Sequence, residues 1–359
     1  MAKGRKQRDT FEDISSYSSK QAYRRNQKKK KRTGLKVFLG ILFTLFIAVG
    51  GVLLYASSVL LGDLTTTVIT ENHEELGITE ETKSEEGIIN IALFGVDSRA
   101  EAGTFTGRSD AIMVLSVDTV HGKLKLTSLL RDTRVYIGEE CYYDTGCDKL
   151  NHAYAYGGPE LAIRTINQNF GLDITDYVTV NFAGMAQIVD AFGGVDLEVT
   201  DAEIEQINVN LNNLWGQNPG AFSGDLELLD CSAGVVHLNG DQAVAYGRIR
   251  KIDSDNRRAE RQQEVLSALL SKVHSISKME YPALVQKLAP LCETSLSIND
   301  VLELAPIVLT DFTIERLSIP GEEEQPGSGY YEGGGWMWSY DLDQAKEHIQ
   351  EFIYEGYEG

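Results

Sequence analysis

Apolar positions along the chain recur with two different periods, which predict strands and helices in alternation. Three short runs rich in branched apolar residues, Ile88–Val96, Ala111–Val117 and Leu124–Leu130, come close together, with a turn signal over Asp118–Gly122. Runs of this kind predict β-strands. Later runs of the same type predict strands over residues 177–182, 195–199 and 314–319.

Helical spacing of apolar residues predicts helices between and after these strands. One helix opens at Gly158-Pro159-Glu160 and is stopped by Gly171, and the longest is Arg257–Val273. Further helices are predicted over 183–192, 241–246, 282–292, 298–309 and 343–354. Residues 201–236 are rich in Asn, Gly and acidic residues and give no readable period. The alternation favours an α/β sandwich in one large domain over an all-β fold.

The longest apolar run has a different meaning. Val37–Leu61 comprises 25 consecutive residues without a charge, enough helix to cross a hydrocarbon core about 30 Å thick. The basic residues on its N-terminal side place that flank in the cytoplasm and residues 62–359 outside the cell. A cleaved signal peptide is the alternative, but its apolar stretch is normally only about 7–15 residues.

The chain is therefore predicted to be a single-pass membrane protein with an uncleaved anchor. Its expected parts are a basic cytoplasmic tail (1–36), the transmembrane anchor (37–61), an acidic stalk (62–87) and an extracellular domain (88–355) with its core motifs at 90–273.

The net charge of −20 divides at this membrane segment, because residues 1–36 carry a net +10 and the remainder a net −30. An acidic body repels polyanions, which argues against nucleic-acid binding by the main domain. The basic tail is either a topology signal or a binding site for nucleic acid or anionic lipid. A hydrophobic fraction of 42% excludes a wholly disordered chain.

The four cysteines lie in the part predicted to face an oxidising space, and their even number suggests disulfides. Cys141 and Cys147 could close a local loop, and Cys231 and Cys292 a longer one. Four cysteines allow three pairings, and the sequence does not choose among them. Metal binding is the alternative, but there is no CxxC motif and no nearby pair of histidines.

Arginines stand among small residues at the ends of the predicted strands, although the domain is acidic. The segments are GVDSR (95–99), GRSD (107–110), LLRDT (129–133), DKLNHAYAYGGPE (148–160), AYGRIR (245–250) and DNRRAERQQ (255–263). Ligands of α/β folds tend to bind at strand ends, and the planar guanidinium suits phosphate oxygens. Neighbouring carboxylates would repel a phosphate unless a divalent cation lay between them. This pattern predicts a Mg²⁺-assisted phosphate or pyrophosphate site.

Each of these residues also has a simpler interpretation. Any single Arg–Asp pair could be an ordinary surface ion pair worth about 0–1 kcal/mol. Arg258 and Arg261, three residues apart on the long helix, share a face that could be merely solvated. His152 is more often a packed, hydrogen-bonded histidine than a catalytic base.

The motifs together resemble a known family. NIALFGVDSR, GRSDAIMVLSVD, LTSLLRDTRV, DKLNHAYAYGGPELA, HLNGDQAVAYGRIR and RRAERQQEVL are similar, in this order, to segments of the LytR–CpsA–Psr family of cell-wall enzymes. The resemblance implies an α-β-α sandwich with a central mixed sheet and an apolar groove for a lipid tail. It also implies a phosphotransferase of a Gram-positive-type wall. Such an enzyme moves an anionic glycopolymer, teichoic acid or capsule-like, from a polyprenyl-pyrophosphate carrier to a peptidoglycan sugar hydroxyl.

The resemblance also assigns roles to residues. Asp97 and Asp110 are expected to hold Mg²⁺ or Mn²⁺, and Asp97, Asp110, Arg131 and Asp132 form the expected catalytic set. The expected pyrophosphate ligands are Arg99, Arg108, Arg131, Arg248, Arg250, Arg258 and Gln262, and Arg257 and Arg261 fall in the same motifs. Asp97 or Asp110 is the first candidate for the base, and Asp132 a weaker one.

Two departures from the family pattern fall in the motifs of the expected site. Two alternative functions also remain open. Arg257 stands where the family usually has Gly, and the CYYDTGC loop before DKLNHAY is expected to reshape the pocket rim. The alternative functions are hydrolysis of the same lipid-linked glycan by water and a non-enzymatic, lipid-binding regulator that acts through the basic tail.

Overall fold

A computed structural model describes most of the chain after the predicted anchor. The described residues are 65–98, 105–143, 145–217, 226–273, 284, 287–297, 300, 304, 312–321, 323–324, 327, 329–332 and 335–355. The predicted cytoplasmic tail (1–36) and transmembrane anchor (37–61) lie outside these residues. Within them, no helix combines the length and the apolar character that crossing a membrane requires.

A seven-stranded mixed sheet forms the centre of the domain. Its strands lie in the order β1 (Thr65–Thr66), β10 (Cys292–Thr294), β7 (Asp176–Asn181), β2 (Ile88–Val96), β3 (Ser109–Asp118), β4 (Lys123–Leu129) and β11 (Thr313–Ile319). Strands β2, β3 and β4 are antiparallel, while β7 runs parallel to β2 and β11 parallel to β4. The mixed α/β sheet expected from the sequence is confirmed.

Helices pack on both faces of this sheet. Helices α1 (Leu150–Phe170) and α6 (Leu342–Tyr354) cover one face, where Phe94 and Ile112 share a core with Ile163 and Ile349. Helices α2 (Phe182–Ala191), α4 (Gly240–Tyr246) and α5 (Asp255–Val273) lie on the other. Because side chains alternate along a strand, Phe94 and Leu93 of β2 point to opposite layers.

Smaller elements surround the three layers. Helix α3 (Asp201–Gln217) and the pair β8 (Val195–Val199) and β9 (Gly234–Leu238) pack with α2, α4 and α5 in a second core. Two further hairpins are β5 (Arg134–Tyr136) with β6 (Cys147–Lys149), and β12 (Tyr330–Glu332) with β13 (Gly335–Met337). A 3₁₀ turn, Ala289–Leu291, precedes β10.

Three sequence-based assignments are corrected. Residues 201–236 contain α3 and the start of β9, and the inward-facing Ile204, Ile207 and Leu211 of α3 have the helical spacing that would have identified it. Helix α1 begins eight residues before Gly158, because a non-helical kink at Gly157 and Gly158 separates two helical parts. The predicted helix over 282–292 ends in the 3₁₀ turn and the first residue of β10, and most of the one over 298–309 lies outside the described residues.

The predicted stalk also belongs largely to the domain. Strand β1 pairs with β10, and Ile69, Leu76 and Ile78 are buried in the main core. The side-chain amide of Asn167 donates a hydrogen bond of 2.8 Å to the carbonyl oxygen of Leu76. The prediction that 62–87 is a free stalk is therefore wrong for residues 65–87, whose few apolar residues are too widely spaced among acidic ones to show a period.

The side chain of Leu76, in the segment before β2, is fully buried. Replacing Leu76 with alanine is expected to destabilise the domain by about 2–5 kcal/mol, since a buried leucine loses apolar contacts and leaves a cavity. Urea unfolding of residues 62–359 measures this. Val68→Ala, at an exposed position in the same segment, is the control. Equal stabilities of the two variants would contradict the assignment of this segment to the domain.

Candidate active site

The predicted site residues meet at one edge of the central sheet. Asp97 directly follows β2, Asp110 lies at the start of β3 and Arg131 follows β4. Because β3 is antiparallel to both neighbours, the end of β2, the start of β3 and the end of β4 lie at the same edge. The backbone N–H of Asp97 donates a hydrogen bond of 3.1 Å to the carbonyl oxygen of Arg108, which joins the two chain segments there.

Asp110 lies between two arginines. Arg131 Nη1 is 2.7 Å from Asp110 Oδ1, and Arg258 Nη2 is 3.4 Å from Asp110 Oδ2. Burial lowers the pKa of Arg258, and the nearby charge of Arg131 lowers it further, while Asp110 acts in the opposite direction. Arg258 Nε is buried and has no hydrogen-bond partner. The site thus places two arginines side by side around Asp110, and an incoming anion would stabilise them.

A second carboxylate, Asp132, is also held by two cations. Its Oδ1 accepts a hydrogen bond of 2.8 Å from Lys149 Nζ, and its Oδ2 lies 3.3 Å from Arg131 Nε. The second contact is close in distance but is not aligned as a hydrogen bond. Lys149 had no role in the sequence prediction. The sequence feature that could have identified Lys149 is its position in the DKLNHAY motif, where it is a cation at the end of the short strand β6.

Arg248 connects the polar site to an apolar surface. Its guanidinium carbon lies 4.3 Å from the ring centroid of Phe182, a cation–π contact. Its Nη1 is 3.6 Å from Asp97 Oδ1, which is too long for a hydrogen bond. Asp97 Oδ1 is buried, and no donor forms a hydrogen bond with it.

An apolar groove of about 320 Å³ opens beside these arginines. Its walls are the face of the sheet that carries Leu93 and Met113, together with apolar side chains of α2, α4 and α5. Gly95 and Ala111 lie opposite each other in the floor, where a Cβ on Gly95 would come within 2.9 Å of the Ala111 methyl group. Gln262 lines both this groove and the cleft formed by Asp110, Arg131 and Arg258. The two spaces are therefore adjacent.

The remaining predicted pyrophosphate ligands differ from one another in exposure and in side-chain contacts. Arg250 is partly exposed, and its Nε lies 3.6 Å from Asp255 Oδ1, a residue that sequence reasoning left without a role. Arg108 is exposed and has no side-chain hydrogen bond or ion pair with another described residue. Gln262 Nε2 donates a hydrogen bond of 3.2 Å to the carbonyl oxygen of Gly247. Arg99 lies outside the described residues.

Two arginines of the same motif do not face this site. Arg261 is fully buried, and it binds Glu203 of α3 and Asp253 of the loop before α5. Arg257 pairs with Glu260 and Glu264 of its own helix. Both fall in the motifs of the expected diphosphate site, but neither lines the cleft formed by Asp110, Arg131 and Arg258. The interpretation of Arg258 and Arg261 as a solvated face is wrong, because both side chains are buried and α3 supplies Arg261 with a carboxylate that the sequence did not reveal.

The histidine and cysteine predictions have different outcomes. His152 Nδ1 lies 2.7 Å from the buried Asp148 Oδ2, which supports the interpretation as a packed, hydrogen-bonded histidine. No disulfide joins the four cysteines, all of which are described, so disulfide formation stays a prediction. Cys292 lines the apolar groove, where burial raises the pKa of its thiol to about 11.

The carboxylates can be compared with the needs of the expected Mg²⁺ or Mn²⁺ ion. Among the described residues no cluster of three or more metal-binding side chains occurs. Mg²⁺ does not require one, because it is commonly held by one or two carboxylates together with water and substrate phosphates. The unpaired, buried Asp97 Oδ1 suits such a ligand, and Asp110 lies on the adjoining strand. The donor set therefore fits a divalent cation that binds together with a phosphate.

An arginine-rich anion site that adjoins an apolar groove suits a molecule with a phosphate head and a hydrocarbon tail. The sequence matches the LytR_cpsA_psr family over residues 58–352. The chain belongs to this family.

Individual relatives agree with this assignment. Polyisoprenyl-teichoic acid–peptidoglycan teichoic acid transferase TagT of Bacillus subtilis (strain 168) is 29% identical over 314 residues, covering 86% of this chain and 92% of that protein. The corresponding TagU of Halalkalibacterium halodurans is 32% identical over 250 residues, covering 67% and 72%. A solved structure of TagT bound to LI-WTA matches with a TM-score of 0.60 at 25% identity, covering 80% of this chain and 99% of that one.

Proposed function

We propose that this protein is a phosphotransferase that moves an anionic glycopolymer from a polyprenyl-pyrophosphate carrier to a sugar hydroxyl of peptidoglycan. The observation that carries the proposal is the contact between the arginine site and the apolar groove at Gln262. Only a substrate with both a polyanionic head and a hydrocarbon tail would occupy the two spaces together. The relatives named as teichoic acid transferases support the same substrate class.

The cations of the site would bind and orient the diphosphate. Arg131 and Arg258 flank Asp110, and Arg248 stands between Phe182 and Asp97 at the groove. Phosphoryl transfer depends mainly on positioning and on neutralising charge at the transferring and leaving groups. Arginines that are already in place and partly desolvated supply that charge without reorganisation during the reaction. Held by Asp97 and Asp110, a divalent cation would add positive charge at the diphosphate oxygens.

The acceptor hydroxyl attacks the phosphorus atom that bears the glycan, and the polyprenyl phosphate leaves. Asp97 or Asp110 is the first candidate to take the hydroxyl proton, through a carboxylate oxygen that the divalent cation does not occupy. Asp132 is less suited, since Lys149 and Arg131 occupy both of its oxygens. Its role is to hold Arg131 toward Asp110. The apolar groove walls keep water from the lipid side of the diphosphate.

The reaction belongs outside the cell. The basic residues before the apolar segment 37–61 orient the chain with its N-terminus in the cytoplasm. One anchor then holds the catalytic domain on the outer side of the membrane, where lipid carrier and peptidoglycan are both within reach.

A reconstituted reaction tests the proposed function. The full chain in detergent is incubated with a polyprenyl-pyrophosphate-linked glycan and with peptidoglycan glycan strands, and the strands are examined by mass spectrometry. We expect glycan joined to the strands through a phosphodiester. A donor that remains intact in the presence of acceptor and Mg²⁺ would contradict the proposal.

Removal of divalent cations tests the metal assignment. Chelation with EDTA is expected to lower the transfer rate on the order of a hundredfold, because charge neutralisation by a metal is worth several kcal/mol, and Mg²⁺ or Mn²⁺ should restore it. Asp97→Asn should need a higher Mg²⁺ concentration for half-maximal rate, whereas Asp196→Asn, on the distant strand β8, should not. A rate that is insensitive to chelation would refute the assignment.

A further inference from the structure

The short hairpin β5–β6 presents an outer face that continues from the active site. In its register Arg134 lies opposite Lys149, and Tyr136 lies opposite Cys147. Directly opposed residues share a face, and burial alternates accordingly, since the intervening Val135 and Asp148 are buried. The outer face therefore runs from the two cations to Tyr136.

The inner end of this face is part of the site already described. Lys149 Nζ is 2.8 Å from Asp132 Oδ1, and Asp132 neighbours Arg131, which contacts Asp110. Two residues along a strand span about 7 Å. Tyr136 thus lies one such step farther from the diphosphate site than Lys149, a distance on the scale of one sugar residue.

Tyr136 is held in place although its side chain reaches into solvent. The residue is 54% exposed. Its backbone N–H donates a hydrogen bond of 3.0 Å to Asn169 Oδ1, and its carbonyl oxygen accepts one of 2.8 Å from Asn169 Nδ2. Gly146 leaves room for the ring, because a Cβ there would come within 2.7 Å of Tyr136 Cε2. A rigid, exposed ring loses little conformational freedom when it binds a ligand.

The chemistry of this face favours a sugar next to a phosphate. Lys149 and Arg134 suit the charged end of an anionic glycan, and the face of an aromatic ring packs against the C–H groups of a pyranose. Beyond Tyr136 the chain carries Glu139 and Glu140, both exposed. Glu140 is paired with Arg164, whose Nη2 lies 2.6 Å from Glu140 Oε2, but Glu139 would repel a second phosphate, so an uncharged ring fits better at Tyr136.

We propose that the outer face of the β5–β6 hairpin, with Tyr136 as its aromatic platform, binds the donor sugar that adjoins the diphosphate. This inference rests on the proposed function and makes it more specific. It places the glycan along the hairpin that leads into the CYYDTGC loop, so the hairpin contributes to the choice of glycopolymer.

Two soluble probes separate the sugar from the rest of the donor. They are farnesyl diphosphate and farnesyl-diphosphoryl-N-acetylglucosamine, and their binding to the full chain in detergent is measured by calorimetry. Tyr136→Ala is expected to weaken binding of the sugar-bearing probe about tenfold, in line with one lost aromatic contact, and to leave farnesyl diphosphate binding unchanged. Tyr136→Phe should retain wild-type affinity for both. Tyr142→Ala, at an even more exposed position in the loop that follows β5, is the matched control.

The outcomes distinguish this inference from the proposed function. If the wild-type protein binds neither probe, both are overturned. If it binds both probes and Tyr136→Ala changes neither affinity, only the sugar assignment is overturned. Two further results would also overturn the sugar assignment. If Tyr136→Ala raised only the KM for peptidoglycan strands, the face would bind the acceptor. If Tyr142→Ala lost affinity for the sugar-bearing probe equally, the loop tip would bind the sugar. A loss confined to the sugar-bearing probe in Tyr136→Ala supports it.

Discussion

Replacing Arg131 with alanine is expected to lower the rate of phosphodiester formation by about a thousandfold, the scale of losing one preorganised charge at a phosphoryl-transfer site. Arg131 is central because its guanidinium lies against both Asp110 and Asp132. Its removal takes away a proposed diphosphate ligand and leaves Asp110 and Asp132 without the positive charge that separates them from the anionic substrate. Arg131→Lys should recover only a small part of the rate, because a single ammonium group cannot replace the planar fork.

The matched control is Arg257→Ala. Arg257 lies in the same family motif as Arg258, but it pairs with Glu260 and Glu264 on its own helix. The rate of Arg257→Ala should remain within about threefold of wild type, since these partly exposed ion pairs contribute about 0–1 kcal/mol and do not involve Asp110 or Asp132. Similar losses in both variants would show that general disruption, and not the removal of a diphosphate ligand, explains the effect of Arg131→Ala.

Replacing Arg261 with methionine is expected to destabilise the domain by about 3–5 kcal/mol, because it leaves a buried carboxylate without its partner. Arg261 Nε donates a hydrogen bond of 2.8 Å to Glu203 Oε1, and both side chains are almost fully buried. Urea unfolding measures the loss. Arg257→Met is the comparison, with an expected effect below about 1 kcal/mol: Arg257 Nη2 lies 3.7 Å from Glu203 Oε1, and its removal leaves the closer hydrogen bond from Arg261 in place. Equal losses for the two variants would contradict the distinct environments described for them.

The same pair gives a pH dependence with a definite sign. Burial by itself raises the pKa of Glu203, but hydrogen bonds from the Thr200 backbone and from Arg261 outweigh it, and the pKa is lowered from 4.5. A carboxylate whose pKa is lower in the folded state stabilises the fold above its unfolded pKa, and this contribution is lost as the pH falls through the folded pKa. The stability difference between wild type and Arg261→Met should therefore shrink below pH 4.5. A difference that stays constant through this range would contradict the assignment.

The sequence was sufficient to predict those site residues whose positions depend only on how the strands pair. Asp97, Asp110 and Arg131 stand at the ends of strongly periodic strands, and antiparallel pairing necessarily brings those ends to one edge. The different roles of the two arginines on α5 were harder to predict. Arg258 and Arg261 are three residues apart on one helix, and only the position of α3, which the sequence left unassigned, decides that Arg258 meets Asp110 while Arg261 meets Glu203.

Lys149 and Tyr136 illustrate a second reason for incomplete prediction. Strands β5 and β6 have three residues each, which is too short for a period to appear in the sequence. Their register, and with it the face that Lys149 and Tyr136 share, depends on contacts with α1 such as the two hydrogen bonds between the Tyr136 backbone and the Asn169 side chain. The acidic composition of the domain misleads in a similar way, because local clustering of arginines, and not the net charge, determines whether a phosphate can bind.

The central claim is that a sugar hydroxyl, and not water, attacks the phosphorus that bears the glycan. A reaction run in ¹⁸O-labelled water, with lipid-linked donor and peptidoglycan strands, tests it through mass spectrometry of the phosphate-containing products. The account predicts glycan joined to the strands by a phosphodiester without ¹⁸O, because the bridging oxygen comes from the acceptor. Phosphosugar that carries ¹⁸O, with no glycan joined to the strands, would contradict the account and identify the protein as a hydrolase.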